Sequence, residues 1–439
     1  MTGWFGSPKS AASLPPVTVV GFDGSPLSPA ARQALAAAEL VVGGRRHLAA
    51  LALPATVRTV VMGPVDAAAE EISKAHHDGE RVVVLASGDP GFFGIVRRLS
   101  GRQGGYVGLR VLPAVSSVAA AFGRLGLPWD DAVVVSAHGR PLAPAVNAWR
   151  RYSAELRRVA VLTDTGSGPV ALLDALGEDF TGCEVLERLG EPDERCTTVL
   201  TQEPTAEVLQ ANQAAGREVV GPAGARARQW QEPLLLVYPG RVVGGAPWLA
   251  GQRVACDEEP SGWALPDSAF VHRDGMFTKR DVRAAVLARL APAVGTLVWD
   301  VGAGSGSVGI ECSRLGSAVI AVERNAEALQ HISDNAAALH GPVKVVHGSA
   351  PGALAGLPWP DAVFVGGGGP DVVAAVVAIR PERVVIALAT VERVAPTVAA
   401  LDGYAVDTVL LQVQHLQPLG DGHRLVPANP VFVVAGALP

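Results

Sequence analysis

The sequence predicts an α/β protein made of two successive units, each a largely parallel sheet with helices on its faces. Two observations carry this. Short β-branched runs alternate with alanine-rich helical patterns along most of the chain, the order that parallel strands with helical crossovers require. The stretch from Pro239 to Pro266, rich in Gly and Pro and carrying Asp257-Glu258-Glu259, reads as a linker between the two series. The expected boundaries are a loose tail over 1–16, a first domain over 17–240, a linker over 241–266 and a second domain over 267–439.

In the first unit, Val17-Thr18-Val19-Val20-Gly21 is a strand closed by glycine. A helical stretch from Pro29 to Leu40 leads to Val41-Val42-Gly43-Gly44. Further strands are expected over 81–86, 132–136, 159–163 and 234–238. The second unit opens with a helix over 278–290. It has Val282, Val286 and Leu290 on one face, with Thr278 as N-cap and Asp281 at the third helical position. Strand 296–301, a glycine loop and a helix from about Val308 follow. Next come strand 318–322 ending at Glu323, helix 326–339, and strands 343–346 and 362–365. Two hairpin-like strands near 408–414 and 431–435 are expected to close this sheet.

Composition narrows the function. With 439 residues, 49% hydrophobic and 18% charged, the chain is globular, and the net charge of −6 offers no attraction to duplex nucleic acid or an anionic membrane. Cys183, Cys196, Cys256 and Cys312 form no C-x-x-C pair, so neither a metal site nor a disulfide framework is expected. The first residues lack an apolar core of signal-peptide length, and no run approaches a membrane span, so the expected location is cytoplasmic.

The sharpest motif is Trp299-Asp300-Val301-Gly302-Ala303-Gly304-Ser305-Gly306. Gly302, Gly304 and Gly306 let the backbone turn tightly and approach a ligand. The pattern is G-x-G-x-G. A dinucleotide fingerprint needs its last glycine at 307, which is Ser307. Asp300 repels a pyrophosphate and attracts a cation, which favours S-adenosylmethionine, with its sulfonium and ammonium, over a nicotinamide. Glu323, at the end of the next strand, can accept both hydroxyls of a ribose. It suits either cofactor, so a nicotinamide oxidoreductase stays open as the alternative. Gly348-Ser349-Ala350-Pro351 and Gly366-Gly367-Gly368-Gly369 end two further strands and are candidate cofactor loops.

The first unit carries its own strand-end turns. Ala86-Ser87-Gly88-Asp89-Pro90-Gly91 turns sharply at Gly88 and Pro90, with Phe92 and Phe93 offering flat apolar surface for an adenine. Asp89 before proline also suits a plain helix cap. Leu112-Pro113-Ala114-Val115-Ser116-Ser117 opens a helix whose first N–H groups and hydroxyls can meet a ligand's polar edge.

These residues support a resemblance. Ser87-Gly88-Asp89-Pro90 with Phe92-Phe93-Gly94, then Pro113 to Ser117, resemble the tetrapyrrole methylase family. The run Val133 to Arg140 is similar to its cobalamin-pathway branch acting on precorrin-6B. Met276 to Arg283, Trp299 to Gly306 and Gly309-Ile310-Glu311 resemble the decarboxylating precorrin methyltransferases. The resemblance implies a tetrapyrrole-methylase-like domain of two α/β subdomains followed by a Rossmann-like class I methyltransferase domain. It also implies two S-adenosylmethionine sites per chain, a precorrin-6B substrate and a homo-oligomer, with a tetramer as the expectation. Two departures stand out. The first loop, Gly21 to Pro26, is short for the family, and Ser349 stands where many methyltransferases carry an Asp against adenine.

Residue roles follow from the same resemblance. Cofactor contacts are expected at Thr278, Asp300, Gly302, Gly304, Gly306, Glu323, Ser349 and Ala350, and at Gly88, Asp89, Ser116 and Ser117. Lys279, Arg280, Arg283 and Arg140 are expected to hold the substrate's carboxylates, although charges of this kind are commonly just solvated. His272, Asp274 and His138 are expected to manage protons, and Glu311 to steady the glycine loop or face substrate. No metal is expected.

Overall fold

The computed structural model describes residues 14–62, 65–100, 108–214, 216–232, 234–241, 262–272 and 277–439. Most of the expected tail and linker, with Cys256, Asp274 and Met276, lies outside the described residues. Contacts group the chain into two compact units. One gathers the described residues of Met1–Trp129, Leu162–Pro169 and Gly182–Val237; the other gathers those of Asp130–Val161, Val170–Thr181 and Tyr238–Pro439. Among the described residues, no helix is long and apolar enough to cross a membrane.

The first sheet contains β1 (Val17–Phe22), β2 (Leu40–Gly43), β3 (Arg58–Val61), β4 (Val82–Ser87) and β5 (Leu109–Leu112), in the order β3-β2-β4-β1-β5. Every described pairing in it is parallel. Strand alternation explains its burial. Val17, Val19, Val42 and Val84 pack on one face, and Val20, Val41, Val83 and Leu85 on the other. Helix Pro29–Ala36 covers the second face through Ala31 and Leu35, and is capped by Ser28, whose hydroxyl accepts the Ala31 N–H.

The second sheet contains β6 (Val133–Ser136), β7 (Val159–Thr163), β8 (Cys183–Glu187), β9 (Arg195–Val199), β10 (Glu218–Val220) and β11 (Leu234–Tyr238), in the order β10-β9-β8-β11-β7-β6. It is mixed, because β8 runs antiparallel to both β9 and β11. Strands β8, β9 and β10 are absent from the sequence-based prediction. They are short and carry polar residues, so periodicity alone does not mark them.

The third sheet contains β12 (Leu297–Val301), β13 (Ala318–Glu323), β14 (Lys344–His347), β15 (Ala362–Val365), β16 (Arg383–Leu388) and β17 (Ala405–Leu411). A hairpin, β18 (Gln414–Leu419) and β19 (Gly422–Pro427), forms a separate two-stranded sheet before β20 (Val431–Ala437) rejoins the third. The order is β14-β13-β12-β15-β16-β20-β17. Strands β12 to β16 pair in parallel, while β20 runs antiparallel to both its neighbours. The two strands expected near 408–414 and 431–435 do close this sheet: β17 pairs antiparallel with β20, Thr408 opposite Val434 and Leu411 opposite Val431, and only the inserted β18–β19 hairpin between them is unforeseen. The buried run of β16 is a further strand that the prediction omits.

Alternation again sets the two faces. Leu297, Trp299 and Val301 pack with helix Pro370–Ile379, whereas Val298 packs with helices Arg280–Leu290 and Ser307–Arg314. Each fully buried Val or Leu contributes about 1.5–3 kcal/mol, so these layers fix the strand register on which the loops depend.

Candidate active site

In the third sheet, connections reverse direction between β12 and β15, so a crevice opens at the carboxyl ends of these strands. Four loops meet there. Gly302 N–H donates to Val322 O at 2.9 Å, Gly366 N–H to Val301 O at 2.9 Å, and Gly348 N–H to Glu323 O at 3.0 Å. Gly302 has φ +72°, and a Cβ on it would fall 2.8 Å from the Gly367 nitrogen, so the two glycine loops touch backbone to backbone. Gly304 and Gly306 also have positive φ. Ser349 is exposed and Ala350 half-buried on the neighbouring loop.

Glu323 sits at this rim, 8% exposed. One carboxylate oxygen accepts the Gly304 N–H at 2.9 Å and the other the Asn325 N–H at 2.8 Å. Each oxygen keeps a lone pair for a hydroxyl. A bare-backbone bend flanked by an acceptor for a diol fits S-adenosylmethionine.

Asp300 is corrected by strand parity. It shares the face of Val298, under helix Ser307–Arg314, and is 1% exposed. Its Oδ2 accepts the Gly309 N–H at 2.8 Å, so it ties the strand end to the first turn of the helix beyond the loop and does not face the crevice. Burial raises its pKa to about 7, against the Gly309 hydrogen bond, with the Glu323 charge adding to the rise.

Arg283 and Glu311 are corrected too. Both are fully buried, and Arg283 Nε donates to Glu311 Oε1 at 2.6 Å. Arg283 also donates to the carbonyls of Thr278 and Leu265, while Glu311 accepts the N–H groups of Ala264 and Leu265. Neither reaches a substrate. Thr278 is not the helix N-cap. The helix starts at Arg280, whose N–H is capped by Asp267 Oδ1 at 2.8 Å.

Lys279 and Arg280 are exposed, Arg280 with its Nε on Ala264 O. The Lys279 ammonium lies 4.0 Å from the Phe277 ring centroid, and the His272 ring stacks on that same ring at 3.9 Å. Asp274 lies outside the described residues.

In the first sheet, three strand-end turns converge. A Cβ on Gly21 would fall 2.1 Å from Gly88 O and 2.5 Å from Ala114 N. Gly88 N–H donates to Phe22 O, and Ala114 N–H to Gly88 O. Asp89 Oδ1 accepts the Gly91 N–H at 2.8 Å, a local turn. The Ser116 hydroxyl accepts the Ala119 N–H, so it caps its helix, with half-buried Ser117 in the first helical position. Phe92 and Phe93 meet edge to face at 4.8 Å.

Sequence reasoning missed four residues here and in the other crevice. Asp23 ties the short first loop to this turn by accepting the Val115 N–H at 3.1 Å. Arg46 donates to the Ser87 hydroxyl at 2.7 Å and to Glu191 at 3.2 Å. His47 lies 3.3 Å from that hydroxyl, its pKa lowered to about 4, chiefly by burial and then by the Arg46 charge. Asn335 binds the second unit's glycine loop. Arg46 and His47 follow the end of β2, and the rule that strand ends carry sites would have found them. His138 and Arg140 are exposed after β6, with Arg140 Nη1 donating to Ser136 Oγ at 2.7 Å.

Two family models match the chain. Residues 21–205 match the tetrapyrrole (corrin/porphyrin) methylases and 268–436 the precorrin methyltransferase domain. Methyltransferases of these families use S-adenosylmethionine. A Sinorhizobium protein, precorrin-6Y C(5,15)-methyltransferase [decarboxylating], is 36% identical over 83% of this chain and 81% of its own. Two Salmonella typhimurium proteins match smaller parts. Cobalt-precorrin-6B C(15)-methyltransferase (decarboxylating) is 35% identical over 39% of this chain and 94% of its own. Cobalt-precorrin-7 C(5)-methyltransferase is 33% identical over 33% of this chain and 67% of its own. With both models matched in this order and a relative aligned over most of both chains, the chain belongs to the family of decarboxylating precorrin-6Y C(5,15)-methyltransferases.

Proposed function

We propose that the chain methylates precorrin-6B at carbons 5 and 15 and removes carbon dioxide from the ring C acetate side chain to give precorrin-8. The observation that carries this is the presence of two separate strand-end crevices, one per family match, in the order of the fused relative. The first domain, over 17–240, acts at carbon 5, and the second, over 267–439, acts at carbon 15 and decarboxylates. Each binds one S-adenosylmethionine. The antiparallel β20 between β16 and β17 departs from an all-parallel dinucleotide sheet and speaks against the nicotinamide alternative.

Bound S-adenosylmethionine supplies a methyl group on a sulfonium with a neutral leaving group, so no covalent nucleophile is needed. The chain's task is alignment and exclusion of water. In the second crevice the backbone from Gly302 to Gly306 and the Glu323 carboxylate orient the donor, with the 348–350 and 366–369 loops at its sides. Exposed Lys279 and Arg280, and Arg140 in the first domain, hold substrate carboxylates. His272, with Asp274, and His138 hold or move protons. Loss of carbon dioxide leaves an electron pair that the conjugated macrocycle absorbs.

Self-association belongs to the same reading. The β18–β19 hairpin exposes Leu416, Leu419 and Leu425, at 65%, 58% and 60%, and Leu416 pairs directly with Leu425. An apolar hairpin of this kind supports a homo-oligomer, with a tetramer expected. The free thiols of Cys183, Cys196 and Cys312 support a reducing, cytoplasmic location.

The test is mass spectrometry of precorrin-6B incubated with the chain and S-adenosylmethionine. Gain of two methyl groups with loss of one carbon dioxide is expected. Methyl-donor turnover without carbon dioxide loss would remove the decarboxylating assignment.

A further inference from the structure

Asn335 lies in helix Ala326–Ala338 and is 1% exposed. Its side-chain amide binds the backbone of two other segments. Oδ1 accepts the Val271 N–H at 2.7 Å, and Nδ2 donates to Val271 O at 2.8 Å and to Ser305 O at 2.9 Å. Only one orientation of the amide serves all three, because one partner is a donor and two are carbonyls. Ser305 belongs to the glycine loop. Val271 precedes His272, whose ring supports Phe277 and, beyond it, Lys279. The other end of the 262–272 segment is held by Glu311 through the Ala264 and Leu265 N–H groups. The segment is therefore tied at one end to the helix that follows the glycine loop, and at the other, through the Asn335 amide, to the loop.

We propose that Asn335 is a positioning residue for the carbon-15 chemistry, clamping the segment that carries His272 to the cofactor loop. It sets the distance between the groups that meet the macrocycle and the groups that hold the methyl donor. The proposal rests on the assignment of carbon 15 to this half of the chain. The glycine loop has its own support in Glu323, which accepts the Gly304 N–H, and Asp300 holds the helix that follows it by accepting the Gly309 N–H, so loss of the clamp shifts the substrate side and leaves the donor side in place.

The test uses Asn335→Asp in the full chain, with a carboxylate set against two carbonyls. Carbon-5 and carbon-15 methylation are measured separately by mass spectrometry. Carbon-15 methylation and carbon dioxide loss should fall in kcat on the order of 100-fold, the cost of misplacing reacting groups by about 1 Å. The KM for S-adenosylmethionine should stay within about threefold, as for an interaction realised only in the transition state. Carbon-5 methylation should be unchanged and reports the first domain, while the retained KM for S-adenosylmethionine at the second crevice reports that the half carrying Asn335 is folded. A parallel loss of donor affinity and rate marks a merely structural role and overturns the proposal, as does unchanged carbon-15 activity. Val271→Pro deletes the amide donor at an exposed position and should reproduce the kcat loss. If Asn335→Asp does not fold, normal carbon-15 turnover in Val271→Pro overturns the proposal. If the unsubstituted chain makes no carbon-15 product, the functional assignment falls instead. The clamp is then judged by hydrogen exchange: faster exchange of the Val271 amide in Asn335→Asp supports it, and unchanged exchange overturns it.

Discussion

The guanidinium of Arg283 and the carboxylate of Glu311 meet at 2.6 Å with both side chains fully buried. A buried pair of this kind is weak evidence of net stabilisation, but removing one partner strands the other charge. Glu311→Ala also leaves the Ala264 and Leu265 N–H groups without their acceptor. It should destabilise this unit by about 3–5 kcal/mol, read as a lower urea midpoint. A loss below about 1 kcal/mol would mean that water reaches the pair.

Asp300 makes stability depend on pH. Its folded pKa, about 7, lies above the ordinary carboxylate value of 3.8. Between these values the folded state holds a proton that the unfolded state has released, so this group's contribution falls as pH rises and is lost above about 7. Asp300→Asn keeps an acceptor for Gly309 and removes the titration. The stability of the variant relative to the parent should rise between pH 5 and pH 8 by on the order of 3 kcal/mol. Denaturant melts at the two pH values check this, and a pH-independent difference would exclude it.

Gly21 and Gly302 test the two crevices independently. Alanine at 21 puts a Cβ into Gly88 O, and alanine at 302 puts one against Gly367 at a positive φ. Gly21→Ala should suppress carbon-5 methylation with carbon-15 chemistry kept, and Gly302→Ala the reverse. Each should weaken donor binding in its own half by about tenfold or more, equivalent to about 1.4 kcal/mol, as measured by calorimetry. Equal loss at both carbons in either variant would refute independent crevices.

Leu416 and Leu425 face each other across the exposed hairpin. A Leu416→Asp, Leu425→Asp double variant should reduce the assembly mass in light scattering while leaving the melting of the units unchanged. An unaltered mass would assign association to another surface.

How much was legible varies with the kind of interaction. The parallel strands and the G-x-G-x-G loop were legible because they rest on local alternation and glycine chemistry. The helix start was misread at Thr278 because its cap comes from Asp267, which no local pattern reveals. Lys279 and Arg280 read as surface cations and are exposed. Arg283, one turn further on, reads the same way and is fully buried. The short strands β8 to β10 show too little apolar periodicity to be separated from loop.

The sequence by itself determined two α/β units, the glycine bends at their strand ends and a pair of methyltransferase families, because these follow from residues adjacent along the chain. Tertiary structure alone decided what the charged groups do. Asp300 went beneath its loop because strand parity turned it toward the covering helix. Glu311 and Arg283 were committed to each other because packing removed the water that would otherwise have solvated them. Asn335 became a clamp only because folding brought Val271 and Ser305, far apart in sequence, to the two sides of one amide.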